Sequence, residues 1–566
     1  MFANQAEKAL AILISIGGFL TTITVVTWKV IDPVNAPKLF VMGAIAGGAL
    51  FFTIQYRNRF PDFKNLKNLY LVVSIFLIWS LVSIFLSESS VANGFYGTYG
   101  RNTGFLAYFS LAIILVICAF FRTSIAVNTV LNGLFYAGVF NLIYFVLSRF
   151  GLEIFAWNNS FERILGTFGN PNFIGAFMGI FVILCTVRLI EKDTSRLWRL
   201  ILIVLILVSL YEIKLSLAVQ GIVITGFGWA IIAYFYIRSK FKSKFLLIAY
   251  MVFASTIGFL ATAGALQKGP LANLIYKTSV SLRGEYWYAG WHMGISHPLF
   301  GVGMDSYGIW YRRMRSPSAL VLPGPETTSD AAHNVFMDIF ASGGFPLFIS
   351  YLLITLLVLL HIWRGMKIFR KFDLAFVSLT ATWLCYTAQS IISMNQIGLA
   401  IWGWIIGGLI IGYVRTQMGS EKEEEIESVQ MNRSTVKGRV AVKIKKPVSV
   451  LMMFLGILTG GAVSAPPMIA DSKWLASQQR LDPAQVASDS KVWPVEALRV
   501  LQASNLYTRK NVPTTGLELA RYAVEKFPNN FYAWRVLSTT PGLSETEKAK
   551  AKAEMHRLDP LNPEIK

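Results

Sequence analysis

The polar residues that could form an active site concentrate in one stretch, from Arg283 to Gly344, between long apolar runs. Three of the chain's five histidines lie there. We expect His333 to be the catalytic one, because a neutral imidazole can accept a proton from a sugar hydroxyl near neutral pH. The alternative for His333 is a structural hydrogen bond. His292 and His297 are expected to pack against neighbours or to cap a helix.

Arginine is the second candidate side chain. Arg101, Arg163 and Arg283 lie in three different polar segments, each next to an apolar run. A guanidinium group is always charged and binds phosphate oxygens in a bidentate manner. Several such groups beside a bilayer would suit a lipid-linked diphosphate. The alternative for any one of them is an interfacial arginine that extends its charge toward water.

The sequence predicts no metal site and no cofactor. His292, His297 and His333 do not have the spacing of a zinc motif, and no cysteine is near them. The carboxylates of the same stretch are scattered rather than paired, which disfavours a site for a divalent cation. These carboxylates are Glu285, Asp305, Glu326, Asp330 and Asp338.

The elements that position these residues are membrane helices. Hydrophobic residues make up 54% of the 566 positions, and charged residues 15%, well below the roughly 25% of soluble proteins. Apolar runs of roughly 17–22 residues recur, which is long enough to cross a bilayer as helices. The fold class is therefore an all-α, polytopic membrane protein. The net charge of +21 comes mostly from short loops between spans, so we expect no nucleic-acid partner.

The apolar runs predict about thirteen transmembrane helices. The predicted spans are 9–28, 38–55, 69–87, 104–121, 127–147, 172–189, 199–212, 217–236, 245–264, 345–362, 373–391, 397–414 and 448–468. Residues 1–414 would form the membrane domain, with a large external loop at 265–344. Residues 415–447, which are polar and mixed in charge, would form a flexible cytoplasmic linker before the last span.

Basic residues occur in every second loop, which sets the predicted orientation. By the positive-inside rule, the N-terminus and the basic loops are cytoplasmic. Loops 88–103, 148–171 and 265–344 then share the outer side with the C-terminal segment. The basic clusters are Arg57, Arg59, Lys64 and Lys67; Arg188, Lys192, Arg196 and Arg199; Arg238, Lys240, Lys242 and Lys244; and Arg364, Lys367, Arg370 and Lys371.

Residues 470–566 are expected to form a small external helical domain. Four segments have helical periodicity, with Asn and Pro between them. They are Pro494–Thr508, Thr515–Lys526, Phe531–Ser538 and Ser544–Leu558. The apolar positions from Leu517 to Leu537 are similar to a tetratricopeptide helix pair, and a generic helical hairpin is the alternative. Because helical-repeat surfaces bind peptides, the domain could bind a protein partner or a protein acceptor.

Several of these segments together resemble a known family. His333-Asn334, a run of apolar and small residues and then Gly344 resemble the signature of the O-antigen ligase and O-antigen polymerase superfamily. The segment Arg283–Trp287 followed by Pro298–Gly303 is similar to the region before that signature. Arg163 to Asn172 resembles an earlier outward loop of the family. The chain departs from the signature at Leu347, where the family has a second glycine.

The resemblance implies a bacterial plasma-membrane enzyme. It would transfer an undecaprenyl-diphosphate-linked glycan, on the periplasmic face, to a hydroxyl of a glycan, lipid or protein acceptor. It implies that Arg163 and Arg283 bind the diphosphate, that Arg101 assists, and that His333 is the base or orients the acceptor. No metal or nucleotide sugar would take part. Further candidates for substrate binding are Asn170, Asn172, Trp287 and Asn334.

Two other classes of function are alternatives to this transferase. A transporter or flippase would have ionisable residues and broken helices at mid-membrane in repeated halves. A membrane scaffold that only presents the C-terminal helices would leave the arginines and His333 unexplained. Within the transferase class, the sequence does not distinguish a ligase from a polymerase or a protein glycosyltransferase. It also leaves open the sugar, the acceptor, the stereochemistry and the oligomeric state.

Overall fold

The computed structural model describes residues 2–56, 66–155, 163–241, 243–276, 278–429, 446–480 and 483–565, and these ranges contain helices and no strands. The helices are α1 (Phe2–Ile23), α2 (Asn35–Tyr56), α3 (Lys67–Leu86), α4 (Val91–Tyr96), α5 (Phe105–Cys118), α6 (Ser124–Arg149), α7 (Pro171–Ile190), α8 (Arg196–Ser216), α9 (Val219–Lys240), α10 (Lys244–Ala265), α11 (Ala272–Ile275), α12 (Thr278–Ser296), α13 (Tyr307–Met314), α14 (Val335–Ile368), α15 (Leu374–Ile392), α16 (Ile397–Val429), α17 (Lys446–Ser464), α18 (Pro466–Arg480), α19 (Pro483–Asp489), α20 (Ala497–Arg509), α21 (Pro513–Lys526), α22 (Phe531–Thr539) and α23 (Glu545–Leu558).

Within the described ranges, ten helices are long and apolar enough to cross a membrane, and the bent pair α17–α18 brings the number to eleven. The polytopic all-α fold is thereby confirmed. About thirteen spans were predicted, and among the described helices α5 and α8 are the predicted spans that do not meet this test of length and composition. Helix α5 has only 14 residues, about 21 Å of helix, which is less than the ~30 Å hydrocarbon core. Helix α8 has enough length, but it carries Arg196, Arg199, Glu212 and Lys214.

The large external loop predicted at 265–344 is mostly helical. It contains α11, α12, α13 and the first turns of α14. Helix α14 is broken at Gly343 and Gly344, where the predicted loop ended and the predicted span began. Gly344 has a φ of 66° and packs directly against Pro298, whose carbonyl oxygen accepts a hydrogen bond from the Phe345 N–H at 2.8 Å. A side chain at Gly344 would collide with that backbone.

The predicted linker is also partly helical, because α16 continues past Val414 to Val429. The Glu- and Lys-rich residues after Met418 are good helix formers, which explains the extension. Residues 430–445, the rest of the predicted linker, lie outside the described residues. The predicted basic residues Arg57, Arg59, Lys64 and Lys242 do so too.

Glycines fasten the last membrane helix to the bundle. Gly43 and Gly47 on α2 face Gly456 and Gly460 on α17, and each pair brings backbone atoms into contact. Small residues four apart on both helices permit this close approach, which is a common way to join helices in a membrane. The C-terminal helices are therefore attached to the bundle through α17 as well as through their own contacts.

The three polar segments lie at one end of the bundle. Residues 97–104 follow α4, residues 163–170 precede α7, and residues 297–334 lead into α14. The ends of α7, α9 and α14 that carry basic residues lie at the other end, where Arg238 donates to the carbonyl oxygen of Met366. This arrangement agrees with the alternation of basic and uncharged loops. Which end is cytoplasmic remains a prediction.

Helices α20 to α23 pack one against the next and bury two apolar clusters, around Trp474 and Leu519 and around Phe531 and Trp534. Their bounds lie within three residues of the four helical segments predicted from the periodicity. The tetratricopeptide likeness and the domain limits remain predictions.

Candidate active site

His333 is held in an unusual position directly before α14. Its φ is 53°, in the left-handed region that few non-glycine residues adopt. The flanking backbone is fixed on both sides. The Asn334 side chain caps α14 by accepting from the N–H groups of Phe336 and Met337 at 3.0 and 3.2 Å. The Ala332 N–H donates to the Asp338 carboxylate at 2.7 Å. These bonds turn the chain sharply, so that His333 projects from the start of the helix.

Aromatic residues of α12 and α13 support the imidazole. Tyr286 stacks on His333 with ring centres 5.4 Å apart. Its carbonyl oxygen accepts a hydrogen bond from the Tyr307 hydroxyl at 2.6 Å, and its ring meets Tyr311 edge to face at 5.8 Å. Tyr286, Tyr307 and Tyr311 are all buried. The position of His333 therefore depends on how α13 packs against α12.

The surroundings keep His333 neutral. Burial, which is the largest cause, and the positive charges of Arg283 and Arg101 together lower the pKa of His333 from 6.5 to about 4. At neutral pH the imidazole is therefore unprotonated and can accept a proton.

Arg283 is close enough to His333 for its charge to act on the imidazole. It lies on α12, half-buried, and its Nε has no hydrogen-bond acceptor. Among the described residues, no carboxylate forms an ion pair with it. Burial lowers the pKa of Arg283, although a guanidinium stays charged at any ordinary pH. A partly desolvated charge of this kind is stabilised by an anion that binds next to it.

Arg101 has a different environment. It is buried, its Nε lies 3.3 Å from the Asp305 carboxylate, and its Nη1 donates to the carbonyl oxygen of Asp330 at 2.9 Å. Asp305 also accepts from the N–H groups of Thr98 and Thr103 at 2.9 and 3.2 Å. Arg101 therefore joins the first polar segment to the third. Its charge is largely offset by Asp305, which favours positioning over direct contact with a diphosphate.

The second polar segment forms a neighbouring part of the same end. Thr167 anchors it by donating from its N–H to Asn141 and from its hydroxyl to the carbonyl oxygen of Thr22, both at 2.9 Å. Asn170 caps α7 by accepting from the Asn172 N–H at 2.9 Å. Arg163 is exposed at the start of this segment. The structure thus brings Arg283 and Arg101 close to His333, whereas Arg163, Asn170 and Asn172 lie in a separate segment that leads into α7.

Two further groups border the site. Trp287 packs against the apolar cluster under α13, and its indole N–H has no acceptor. Trp287 follows Arg283 by four residues on α12, so the two side chains share one face of the helix. One carboxylate oxygen of Asp338 is likewise buried without a partner. Within the described ranges, no three His, Cys, Asp or Glu side chains lie close enough to share a metal ion.

The sequence-based interpretation missed the roles of Tyr286, Asp305 and Asp330. Tyr286 lies in the segment Arg283–Trp287 that resembles the family, but only the helical geometry of α12 shows that it faces His333. Asp305 was considered only as a metal ligand, although it lies 204 positions after Arg101. A buried arginine needs a compensating carboxylate, and this requirement is the one signal that could have linked the two.

A comparison with known families identifies part of the chain. Residues 215–352 match the family model described as O-antigen ligase. The match includes Arg283, Trp287, His333 and Asn334, and it supports the resemblance to the O-antigen ligase and polymerase superfamily. Arg101, Arg163, Asn170, Asn172 and the C-terminal helices lie outside it. No curated protein matches the chain significantly.

Proposed function

We propose that this membrane protein, with its O-antigen ligase region, transfers a glycan from undecaprenyl diphosphate to an acceptor hydroxyl. The observation that carries the proposal is the pairing of an uncompensated, half-buried arginine with a neutral histidine at the head of α14. Arg283 suits a diphosphate, and His333 suits a hydroxyl that must lose its proton. The family match spans both residues.

The proposed reaction forms one bond and breaks one bond at the anomeric carbon of the donor. The acceptor oxygen attacks the anomeric carbon of the donor sugar and forms the new glycosidic bond. The bond from that carbon to the diphosphate oxygen breaks, and undecaprenyl diphosphate leaves with the electron pair. The hydroxyl proton passes to Nε2 or Nδ1 of His333. Arg283 stabilises the charge that grows on the leaving oxygen, and the loss of one such group typically lowers the rate by about 10²–10³.

Donor binding would also raise the pKa of His333. In the free protein two arginine charges act on His333 and help to lower its pKa. A diphosphate bound by Arg283 would offset that positive charge, so the imidazole would become a stronger base when the donor is present. Proton transfer would then be favoured only in the complex.

The location follows from the same proposal. An enzyme of this kind would lie in the bacterial plasma membrane with its N-terminus in the cytoplasm. The end with His333 and the C-terminal helices would be periplasmic. The alternation of basic loops supports this orientation. The acceptor would be a glycan, a lipid or a protein, and the reaction would need no metal ion.

A transfer assay with purified protein tests the proposal. Undecaprenyl-diphosphate-linked oligosaccharide is supplied with EDTA and a panel of acceptors, and release of undecaprenyl diphosphate is measured. Wild type should release it, and His333→Ala should not. His292→Ala is the matched control, because His292 lies on α12, where its ring donates to the Tyr288 carbonyl oxygen at 2.8 Å and stacks on the Tyr288 ring of the same helix. Equal loss in both variants, or release by His333→Ala at the wild-type rate, would refute the role of His333.

A further inference from the structure

The C-terminal helices are tied to the candidate site by a buried ionic group. Asp559, which follows α23, lies between two arginines at the end of α13. Its carboxylate is 2.7 Å from Nη1 of Arg312 and 2.6 Å from Nη2 of Arg315. The exposed fractions are 0% for Asp559, 2% for Arg312 and 3% for Arg315. Water contributes little there, so the three charges depend on one another.

Other groups make this contact specific. The Arg312 guanidinium lies 4.6 Å from the ring centre of Phe531 and donates to the Tyr532 hydroxyl at 3.0 Å. Arg313 donates to the carbonyl oxygen of Asn529 at 3.2 Å. The start of α22 and the end of α23 therefore enclose the basic face of α13. Part of the C-terminal segment 470–566, for which a protein partner was predicted, therefore contacts a segment of its own chain.

An adjacent face of α13 supports His333. Tyr307 and Tyr311 are four residues apart and lie on one side of the helix, whereas Arg312 and Arg315 lie on the adjacent side. Tyr307 bonds to the backbone of Tyr286, and Tyr311 packs against the Tyr286 ring. Tyr286 in turn stacks on His333. A continuous series of contacts thus runs from Asp559 through α13 to the imidazole.

A second contact reaches the first polar segment. Asp471 on α18 accepts from the Tyr99 hydroxyl at 2.8 Å, and from the N–H groups of Ile31 and Asp32 at 2.7 and 2.9 Å. Tyr99 stands two residues before Arg101. The C-terminal helices therefore touch both segments whose residues surround His333.

We propose that Asp559 is a positioning residue: it fixes α13 through Arg312 and Arg315, and α13 holds Tyr286 and His333 in the geometry of the site. This inference rests on the proposed function. The C-terminal helices would thus be part of the catalytic unit rather than an independent partner-binding module.

The test compares Asp559→Asn with wild type in the full-length protein. The control is Glu547→Gln, which removes an exposed ion pair with Arg521 in the same group of helices. With Asp559→Asn we expect a loss in kcat of about 10- to 100-fold, since small misplacements of catalytic groups have effects of this size. The donor KM should change less than about threefold, because Arg283 is not displaced directly. Glu547→Gln should behave as wild type.

A pH titration separates positioning from general damage. A variant that is merely partly unfolded loses the same fraction of activity at every pH. If α13 shifts and His333 becomes more exposed, its pKa rises toward its usual value, and the acid limb of the pH profile moves upward. An unmoved acid limb, together with a kcat loss no greater than the unfolded fraction, would overturn the proposal.

A readout without substrate keeps the two proposals distinguishable. Diethyl pyrocarbonate modifies neutral imidazole, and mass spectrometry can follow the peptide that contains His333 at a series of pH values. Asp559→Asn should move this titration upward even if wild type transfers no glycan, an outcome that would refute the proposed function alone. If Asp559→Asn does not fold, Tyr532→Phe removes only one bond to Arg312 and should give a smaller shift in the same direction. No shift in a folded Tyr532→Phe would then count against the inference.

Discussion

Replacing Arg283 by Gln should change two properties of the enzyme at once. The first is the rate, which should fall by about 10²–10³, because a fixed cation no longer stabilises the leaving diphosphate. The second is the pH at which activity disappears. His333 accepts a proton only when neutral, so activity is present above its pKa and is lost as the pH falls through it. In wild type this acid limb of kcat/KM should lie at about pH 4.

The structure sets the size of the second effect. The pKa of His333 is lowered from 6.5 to about 4, with burial as the largest cause and Arg283 as the next. Arg283 therefore accounts for less than half of the shift. Its removal should raise the acid limb by up to about one pH unit, since one of two nearby positive charges is gone. Arg283→Lys keeps the charge and loses the bidentate geometry, so its acid limb should stay near that of wild type while its rate falls.

The assay is release of undecaprenyl diphosphate between pH 3.5 and 8 at donor concentrations below KM, with protein integrity checked at each pH by returning samples to neutral. These conditions report the free enzyme. An Arg283→Gln variant with a much lower rate and an unmoved acid limb would show that Arg283 does not act on the titrating group. A Gln variant with the wild-type rate would refute diphosphate binding by Arg283.

Two further predictions concern contacts that stabilise the fold. Asp305→Asn removes the ion-pair partner of the buried Arg101 and should destabilise the protein by about 3–5 kcal/mol in thermal unfolding in detergent. Glu545→Gln, in an exposed pair with Lys548, should change stability by less than about 1 kcal/mol, and equal effects of the two substitutions would contradict the structural role of the Arg101–Asp305 pair. Gly460→Leu should separate α17 from α2 and lower the yield of monodisperse protein. Gly226→Leu on α9, where the added side chain meets open space, should leave the yield unchanged, and similar yields of the two variants would argue against the packing of α17 on α2.

Hydropathy predicted the membrane helices well because a bilayer imposes a simple requirement on length and composition. It could not describe the residues outside the membrane. A polar stretch such as 265–344 fails the requirement for a span whether it is a loop or a helix, so α12 and α13 were not anticipated. Helix α5 was predicted too long for a related reason. Its apolar run includes Ala119–Phe121, which are buried but not helical.

The candidate residues were easier to predict than their arrangement. Residue type identified His333 and Arg283, and the segment order connected them to one family. The sequence treated Arg101, Arg163 and Arg283 alike, because their local surroundings are alike: a polar segment beside an apolar run. What separates them is a long-range contact, the ion pair between Arg101 and Asp305. No local pattern encodes that contact.

Among the described residues, the ion-pair partner of each buried arginine separates the structural arginines from Arg283, which we propose binds the substrate. Arg101 has Asp305, and Arg312 and Arg315 share Asp559, with the Glu326 carboxylate 3.7 Å from Arg312 as a second acid. These charges are compensated within the chain, so an incoming anion would gain little from them and would compete with a carboxylate already in place. Arg283 has no such partner among the described residues, and it faces a neutral histidine rather than an acid. An anion bound next to Arg283 would supply the negative charge that none of the described residues supplies.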